Sequence, residues 1–365
     1  MFERNVSLDN EIFDPKGCMK AIDRTYKGYR FDDLNLSGGD FTMFGSEDYY
    51  QLTYNTPTYT DSFFDLGKSY IKIKAKSSIS TVNIKDVIRE GDLLKMFSNI
   101  ELCYGGTFIY LSTCTTDLFP YMCHVQTVLS ENLYETSVYG DTVEFSWKLP
   151  LPDIKIPANL PIKLVIRSAK KDSVIEDGLN ILDLRVCMKR LILTEAAFDT
   201  VMENSLAGCR LYDIPRITME RNRLYKVSCI QIGDIGTNYV MIGLFSKKDY
   251  LKTVDKNKLR FKELVMVTEY GTLTNPSQIL SYDQIRNVIP KLSYYNWKHN
   301  FNWYTVIQVP DLSTTTHQKG SGQVTINYEL EGDDIENLDD YEMLVYRNST
   351  ATMVYEGGKN VMCMV

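Results

Sequence analysis

Apolar and polar residues alternate with a period of two along much of the chain. In the segment 70–76, Ile71, Ile73 and Ala75 fall on one side of an extended backbone, and lysines fall on the other. A strand with one apolar side and one charged side is typical of an antiparallel sheet with one buried face. The same alternation recurs at residues 143–147, 162–166, 182–188 and 324–330. The chain is therefore predicted to consist mainly of β-strands.

Segments with helical spacing are few and short. Asp117 is a suitable N-cap for one helix that would end near Asn132, and its apolar residues recur at helical intervals. A second helix is predicted from Tyr282 to Val288, where Pro290 would stop it. Short isolated helices between strands suit β-sandwiches, whose longer loops cross between sheets.

The length of 365 residues allows two domains, and a weak internal repeat supports that number. Residues 100–109 and 264–273 each contain a strand, a Tyr-Gly turn, a threonine and a second strand. Tight hairpins require positive φ in the turn, so Gly105 or Gly106 is predicted to be equivalent to Gly271. The predicted divisions are an arm at residues 1–37, a first domain at 38–203 and a second domain at 204–365.

Composition and charge narrow the possible functions. Hydrophobic residues make up 44% and charged residues 24%, as in ordinary globular proteins, while 25 Tyr and 15 Phe favour sheets and large subunit contacts. The net charge of −7 argues against a surface that binds nucleic acid throughout. One basic run in the arm is a candidate contact with DNA or with a neighbouring subunit, and the alternative is a solvated terminal segment. This run contains Lys16, Lys20, Arg24, Lys27 and Arg30.

The cysteines and the N-terminal residues bear on the compartment. Eight cysteines are scattered along a long chain, which favours reduced thiols in an intracellular setting over a disulfide framework. The first residues lack the apolar stretch of a signal peptide, and no run of about 18 apolar residues occurs. We therefore expect an intracellular protein that is not secreted and does not insert into membranes.

Patterns typical of enzymes are missing or incomplete. The chain has three histidines and no Gly-x-Ser-x-Gly elbow, and Cys123 beside His124 is interpreted as structural. Gly67-Lys68-Ser69 resembles the end of a phosphate-binding loop, but it lacks the earlier glycine and leads into a strand. The acidic stretch 329–342 could bind Ca²⁺, although a solvated loop between strands is the preferred interpretation. We predict no catalytic, metal-binding or cofactor-binding residues, and hence no enzyme.

An aromatic cluster at residues 294–304 is the most distinctive local composition, and it contains two of the three tryptophans. Trp297, Phe301 and Trp303 are the candidate inter-subunit contact residues, because aromatic anchors are common at interfaces. The alternatives are core packing beneath a long loop, and a stacking platform for single-stranded nucleic acid or sugar.

Several segments follow one another in an order that is informative about the family. In the first half these are residues 65–76, 96–102 and 119–121. In the second half they are residues 245–276 and 303–312, followed by the most distinctive ones, Gly322–Leu330, Tyr341–Tyr346 and Glu356–Val361. This series resembles the major capsid proteins of Polinton (Maverick) elements and adintoviruses, a hexon-like lineage.

This resemblance implies an all-β fold of two tandem eight-stranded jelly rolls with a few short helices in loops. It further implies homotrimeric, pseudo-hexagonal capsomers in the icosahedral capsid of a double-stranded DNA virus or virus-like transposon. The implied partners are a penton-type minor capsid protein and packaged DNA, the latter at most through the arm. The implied location is the virion, after assembly in the host cytoplasm or nucleus. The alternatives are a jelly-roll carbohydrate-binding module and a host-resident, transposon-derived capsid-like protein.

Overall fold

The computed structural model describes most of the chain, with gaps. The described residues are 26–44, 46–77, 92–109, 111–114, 117–129, 135–140, 142–149, 151–170, 179–195, 209–233, 237–248, 254–255, 257–268, 271–273, 283, 304–308, 323–356, 358 and 360–364. Most of these residues lie in β-strands, and one α-helix and three short 3-10 helices occur among them. The 3-10 helices span Phe41–Met43, Asp92–Met96 and Leu338–Asp340.

The first series of strands occupies the chain up to Leu193. It contains β1 (Tyr26–Asp33), β2 (Asn35–Gly38), β3 (Gln51–Asn55), β4 (Ser62–Ser77), β5 (Phe97–Tyr104), β6 (Thr107–Phe108), β7 (Leu111–Thr113), β8 (Glu135–Tyr139), β9 (Thr142–Lys148), β10 (Lys155–Pro157), β11 (Ile162–Ser168) and β12 (Leu179–Leu193). The helix α1 (Phe119–Leu129) lies between β7 and β8.

The second series begins at Cys209. It contains β13 (Cys209–Asn222), β14 (Val227–Gly233), β15 (Thr237–Ser246), β16 (Arg260–Thr268), β17 (Gly271–Leu273), β18 (Tyr304–Gln308), β19 (Gln323–Glu331), β20 (Tyr341–Glu356) and β21 (Asn360–Met364).

Each series makes two sheets, except that β7 of the first series pairs in a sheet of the second. In the first series, one sheet has the order β1-β12-β4-β9-β8 with β10 also on β4, and the other has β2-β3-β11-β5-β6. In the second series, one sheet has the order β18-β15-β20-β13-β7 with β21 also on β20, and the other has β14-β19-β16-β17.

The two series share one topology. When the eight principal strands of each series are numbered in chain order, one sheet reads 1-8-3-6 and the other reads 2-7-4-5. In the first series these strands are β1, β3, β4, β5, β6, β9, β11 and β12, and in the second they are β13 to β20. This double Greek-key order defines the eight-stranded jelly roll. The predicted all-β fold of two tandem jelly rolls with few helices is confirmed.

The alternating sequence explains how β4 forms the centre of its sheet. Its apolar residues pair directly with apolar residues of β9, and all of these side chains are buried. The pairs are Ile71 with Trp147, Ile73 with Phe145, and Ala75 with Val143. On the opposite face, Lys74 pairs with the exposed Glu144. One face of the sheet therefore packs in the core of the first roll, as the alternation predicts.

The second roll has its own apolar core. Ile326, Tyr328 and Leu330 of β19 are buried there, together with Leu264 and Met266 of β16. Phe261 packs edge-on against Tyr328, with ring centroids 5.9 Å apart. The period-two pattern at 324–330 therefore marks a half-buried strand, as predicted.

Spatial grouping of the residues divides the chain into two compact units. The first contains residues 1–111, 133–215 and 351–365, and the second contains residues 112–132 and 216–350. Residues 112–132 thus lie between strands of the first series but group with the second unit. Residues 351–365 follow the second roll in the sequence but group with the first unit. The divisions at residues 37 and 203 stay predictions, and residues 26–37, assigned to the arm, include β1 and most of β2.

The repeated hairpin occupies equivalent positions in the two rolls. The β5–β6 hairpin joins strands four and five of the first roll, and β16–β17 joins strands four and five of the second. Gly105 and Gly106 have φ of 55° and 87° and form the turn between the paired Tyr104 and Thr107. Gly271 instead pairs with Thr268 inside the ladder. The predicted glycine equivalence was therefore wrong, because Gly271 takes the ladder position of Thr107.

The predicted first helix is present at Phe119–Leu129 in the second unit. The backbone N–H of Met122 donates to the carbonyl oxygen of Leu118 at 3.0 Å, so Leu118 holds the N-cap position that was predicted for Asp117. Asp117 instead lies 2.5 Å from Arg221, which is also 2.6 Å from the buried Glu342. Tyr121 packs edge-on against Phe245 with centroids 5.4 Å apart, which anchors the helix in this roll. The second predicted helix, Tyr282–Val288, lies outside the described residues except for Asp283.

Candidate functional site

The described residues contain no arrangement typical of a metal centre. No three His, Cys, Asp or Glu side chains in this part of the chain lie close enough together to hold an ion. Cys123 is fully buried, and this burial raises the pKa of its thiol well above the usual value, which keeps it protonated. Within the same residues, no helix is long and apolar enough to cross a membrane.

The segment that resembles a phosphate-binding loop is part of a strand. Gly67, Lys68 and Ser69 all lie within β4, which continues to Ser77. A Cβ on Gly67 would lie 2.3 Å from Oδ1 of Asp153 and 2.8 Å from its Cα. The glycine is therefore explained by close approach of the chain at Asp153.

Five of the eight acidic side chains in the stretch 329–342 form ion pairs with basic residues of the second roll. The pairs are Lys262–Glu329 at 2.8 Å, Arg260–Glu331 at 2.7 Å, Arg223–Asp339 at 3.2 Å, Lys248–Asp340 at 2.9 Å and Arg221–Glu342 at 2.6 Å. The hydrogen bond to Glu329 raises the pKa of Lys262. The stretch is the end of β19, a turn and the start of β20, in agreement with the preferred interpretation.

The predicted contact residues are only partly described. Trp297, Phe301 and Trp303, and also Lys16, Lys20 and Arg24, lie outside the described residues. Lys27 and Arg30 are exposed on β1, whose partner strand is β12. The structure therefore places this end of the basic run on a sheet of the first roll.

An exposed aromatic and basic surface lies on the outer face of that sheet. We call it the β1 patch, formed by Tyr29, Phe31, Tyr70, Lys72 and Lys189. Phe31 lies between the two tyrosine rings, with centroid distances of 6.0 Å to Tyr29 and 5.4 Å to Tyr70. The ammonium of Lys189 lies 4.6 Å above the Tyr29 ring, and that of Lys72 lies 5.3 Å above Tyr70. Tyr29 is 62% exposed and Phe31 is 46% exposed, so two aromatic rings of the β1 patch face solvent in the isolated chain.

The remainder of this face is charged and forms a shallow depression. Lys74 lies 3.4 Å from Glu144, and Arg185 lies 2.6 Å from Asp183. Exposed pairs of this kind contribute little stability, because water screens both charges. The depression is lined by these charged groups, by Ser137 and Ser146, and by parts of Ile73 and Phe145.

A hydrogen-bonded group that includes Tyr70 of the β1 patch joins β1, β12 and β4. Its members are Asp33 on β1, Cys187 on β12 and Tyr70 on β4. The thiol of Cys187 donates to Oδ1 of Asp33 at 2.8 Å. Burial raises the pKa of Cys187 to about 11 and that of Tyr70 to about 12. Both groups are neutral near pH 7, so neither is an activated nucleophile.

The β1 patch was not predicted from the sequence, because residues 26–37 were assigned to an arm. The available signal was the period-two spacing of Tyr29 and Phe31. Their proximity to Tyr70 and Lys189 arises only from the pairing of β1 with β12 and of β12 with β4.

No protein-family model matches the sequence. A comparison with curated proteins likewise gives no significant match.

Comparison with solved structures gives matches that span nearly the whole chain. The quasi-atomic model of the PBCV-1 virus capsid matches with a TM-score of 0.60 and 9% identity, covering 93% of this chain and 97% of that chain. The cryo-EM structure of the Sputnik virophage matches with a TM-score of 0.53 and 8% identity, covering 93% and 89%. The Faustovirus major capsid protein matches with a TM-score of 0.50 and 7% identity, covering 99% and 93%.

At these identities the similarity concerns the fold. It agrees with the strand order of the two rolls, which was obtained from the pairing alone. The chain therefore has the double jelly-roll fold found in viral major capsid proteins.

Proposed function

We propose that this chain is a major capsid protein whose role is structural and not catalytic. The observation that supports this proposal is the repeated 1-8-3-6 and 2-7-4-5 strand order, in a chain that matches viral capsid structures over 93% of its length. Two similar rolls in one chain give a trimer six similar sides, which suits hexagonal tiling. The proposed product is a homotrimeric, pseudo-hexagonal capsomer of an icosahedral double-stranded DNA virus or virus-like transposon.

The more specific assignments rest on the sequence resemblance. They are the Polinton and adintovirus lineage, a penton-type minor capsid protein as partner, and the virion as the location. The proposed subunit contacts are Trp297, Phe301 and Trp303, with the basic run facing DNA or a neighbouring subunit. The exposed rings of the β1 patch support self-association, because aromatic side chains are enriched in interfaces.

The first experiment measures the mass of the purified chain by light scattering after size exclusion, followed by negative-stain imaging. A mass near three times 42.0 kDa with pseudo-hexagonal particles is the expected result. A monomer at high concentration would contradict the capsomer proposal and favour the carbohydrate-binding alternative.

A second experiment tests the contact residues. The double substitution of Trp297→Ala and Trp303→Ala is expected to weaken the trimer, with Tyr225→Ala as the control. Tyr225 is a suitable control because its ring is 52% exposed in the second roll. An unchanged trimer in the double variant would remove the claim for these two residues.

A third experiment tests the basic run. Deletion of residues 1–25 removes Lys16, Lys20 and Arg24 and leaves β1 in its sheet. A longer deletion would remove a strand that pairs with β12, so its effect on assembly could not be separated from unfolding. The expected effect is loss of DNA retention or of lattice formation, and intact assembly with retained DNA would count against the proposal.

A further inference from the structure

We infer that the first jelly roll contains a binding site for residues 351–364, and that this roll is complete only when they occupy it. We call these residues the closing segment. It comprises the end of β20 and the strand β21, which pair with each other from Thr352–Met364 to Glu356–Asn360. The closing segment groups with the first unit, although the second roll precedes it in the sequence.

The first part of the site recognises the turn of the closing segment. Nδ2 of Asn159 donates to the carbonyl oxygen of Gly358 at 2.9 Å. Oδ1 of the same side chain accepts from the hydroxyl of Tyr355 at 3.0 Å. One asparagine therefore satisfies a backbone group and a side chain of the closing segment together, which fixes its position along the site.

The second part of the site is an aromatic stack. Tyr355 is completely buried, and its ring stacks on Tyr104 with centroids 6.1 Å apart and planes 22° apart. The hydroxyl of Tyr104 donates to the carbonyl oxygen of Pro157 at 2.7 Å. Removal of the closing segment would leave Tyr104, at the end of β5, without this covering ring.

The third part of the site holds β21 at the β5–β6 hairpin. The hydroxyl of Thr107 donates to the carbonyl oxygen of Val361 at 2.6 Å, and the Val361 side chain is 7% exposed. A Cβ on Gly105 would lie 3.2 Å from Cγ2 of Val361 and 2.9 Å from Leu160. The glycine turn of the hairpin thus also allows the close approach of the closing segment.

These contacts join residues that are far apart in the chain. The separations are 199 residues for Asn159–Gly358 and 254 for Thr107–Val361. Contacts with such long loops are entropically expensive and form late in folding. Completion of the first roll therefore depends on a segment that follows the second roll in the sequence.

The test is amide hydrogen exchange on the full chain with the substitution Val361→Asp. A buried charge should open the site, so exchange in β5, β6 and β10 should become roughly tenfold faster while exchange in β14 and β16 is unchanged. The matched control is Met362→Asp, because Met362 is the next residue of β21 and is 51% exposed. The control should leave exchange in the first roll unchanged.

Two milder substitutions decide the question if Val361→Asp does not fold. Tyr355→Phe removes only the hydroxyl that binds Asn159, and Thr107→Val removes only the donor to Val361. Each should accelerate exchange in β5, β6 and β10 by about threefold, since each removes one hydrogen bond. Unchanged exchange there, or equal acceleration in both rolls, would overturn the inference.

Discussion

Arg190 on β12 and Asp32 on β1 form an ion pair in the first roll, with Nε donating to Oδ2 at 2.5 Å. Nη1 of Arg190 donates to the hydroxyl of Ser62 at 3.0 Å, and the guanidinium lies 3.8 Å above the ring of Tyr59. Arg190 is only 8% exposed, so its charge has little contact with water. The pair therefore joins the first and last strands of this roll through a nearly buried charge.

Substitution of Arg190 by methionine should destabilise the protein by about 2–4 kcal/mol, because it leaves Asp32 without its partner in a partly buried position. The measurement is the free energy of unfolding in urea. Arg185→Met is the matched control on the same strand, since that side chain is 59% exposed. The control should cost less than about 1 kcal/mol, and equal losses in both variants would contradict the prediction.

Substitution of Gly67 by alanine should lower the free energy of unfolding by about 1–3 kcal/mol, because the added Cβ overlaps Asp153. The overlap involves the Cα of Asp153, 2.8 Å from the new atom, so a change of side-chain rotamer cannot relieve it. Gly28→Ala on β1 is the control, since its Cβ would meet no atom within 4 Å. Thermal unfolding of both variants checks the prediction, which fails if the two melt alike.

Asp65 gives a prediction about pH. It is 6% exposed, and burial raises its pKa above the ordinary 3.8, although Lys189 partly opposes the shift. The folded state therefore binds this proton more tightly than the unfolded state, so its contribution to stability falls as pH rises from 3.8 through the raised value. Asp65→Asn should be more stable than the parent at pH 7, with a difference that shrinks as pH falls through this interval.

A carboxylate with the opposite shift provides the control for that experiment. Asp40 accepts a hydrogen bond from the backbone N–H of Thr42 at 2.9 Å, which lowers its pKa. Its contribution to stability is present above pH 3.8 and is lost as pH falls through the lowered value. Asp40→Asn should therefore be less stable than the parent at pH 7. Unfolding free energies measured from pH 3 to pH 7 should show opposite signs for the two variants, and equal signs would refute the assignment.

The described cysteines should differ in reactivity. Cys229 on β14 is exposed, whereas Cys123 and Cys187 are buried and their pKa values are raised by that burial. Iodoacetamide reacts with thiolates, so at neutral pH it should modify Cys229 first and the two buried thiols only after unfolding. Peptide mass spectrometry over time measures the order. Modification of Cys187 at the rate of Cys229 would contradict the packing of β12 against β1 and β4.

The parts of the fold that could be predicted are those specified by residues close together in the sequence. The alternation at Ile71, Ile73 and Ala75 predicted a half-buried strand, and the Tyr104 to Thr107 segment predicted a hairpin. Both are local features, because side-chain alternation and positive φ act within a few residues. The candidate interface at 294–304 was also a local composition, and it stays a prediction.

The sequence by itself determined that several segments are half-buried strands, where one hairpin turns, and that the chain lacks the patterns of common enzymes. The tertiary structure alone decided the strand order, the place of β1 in a sheet, and the contacts of Arg190 with Asp32 and of Tyr355 with Tyr104. The reason is physical: a strand's pattern specifies which face is buried, whereas its neighbours are selected by packing and register between residues distant in the chain.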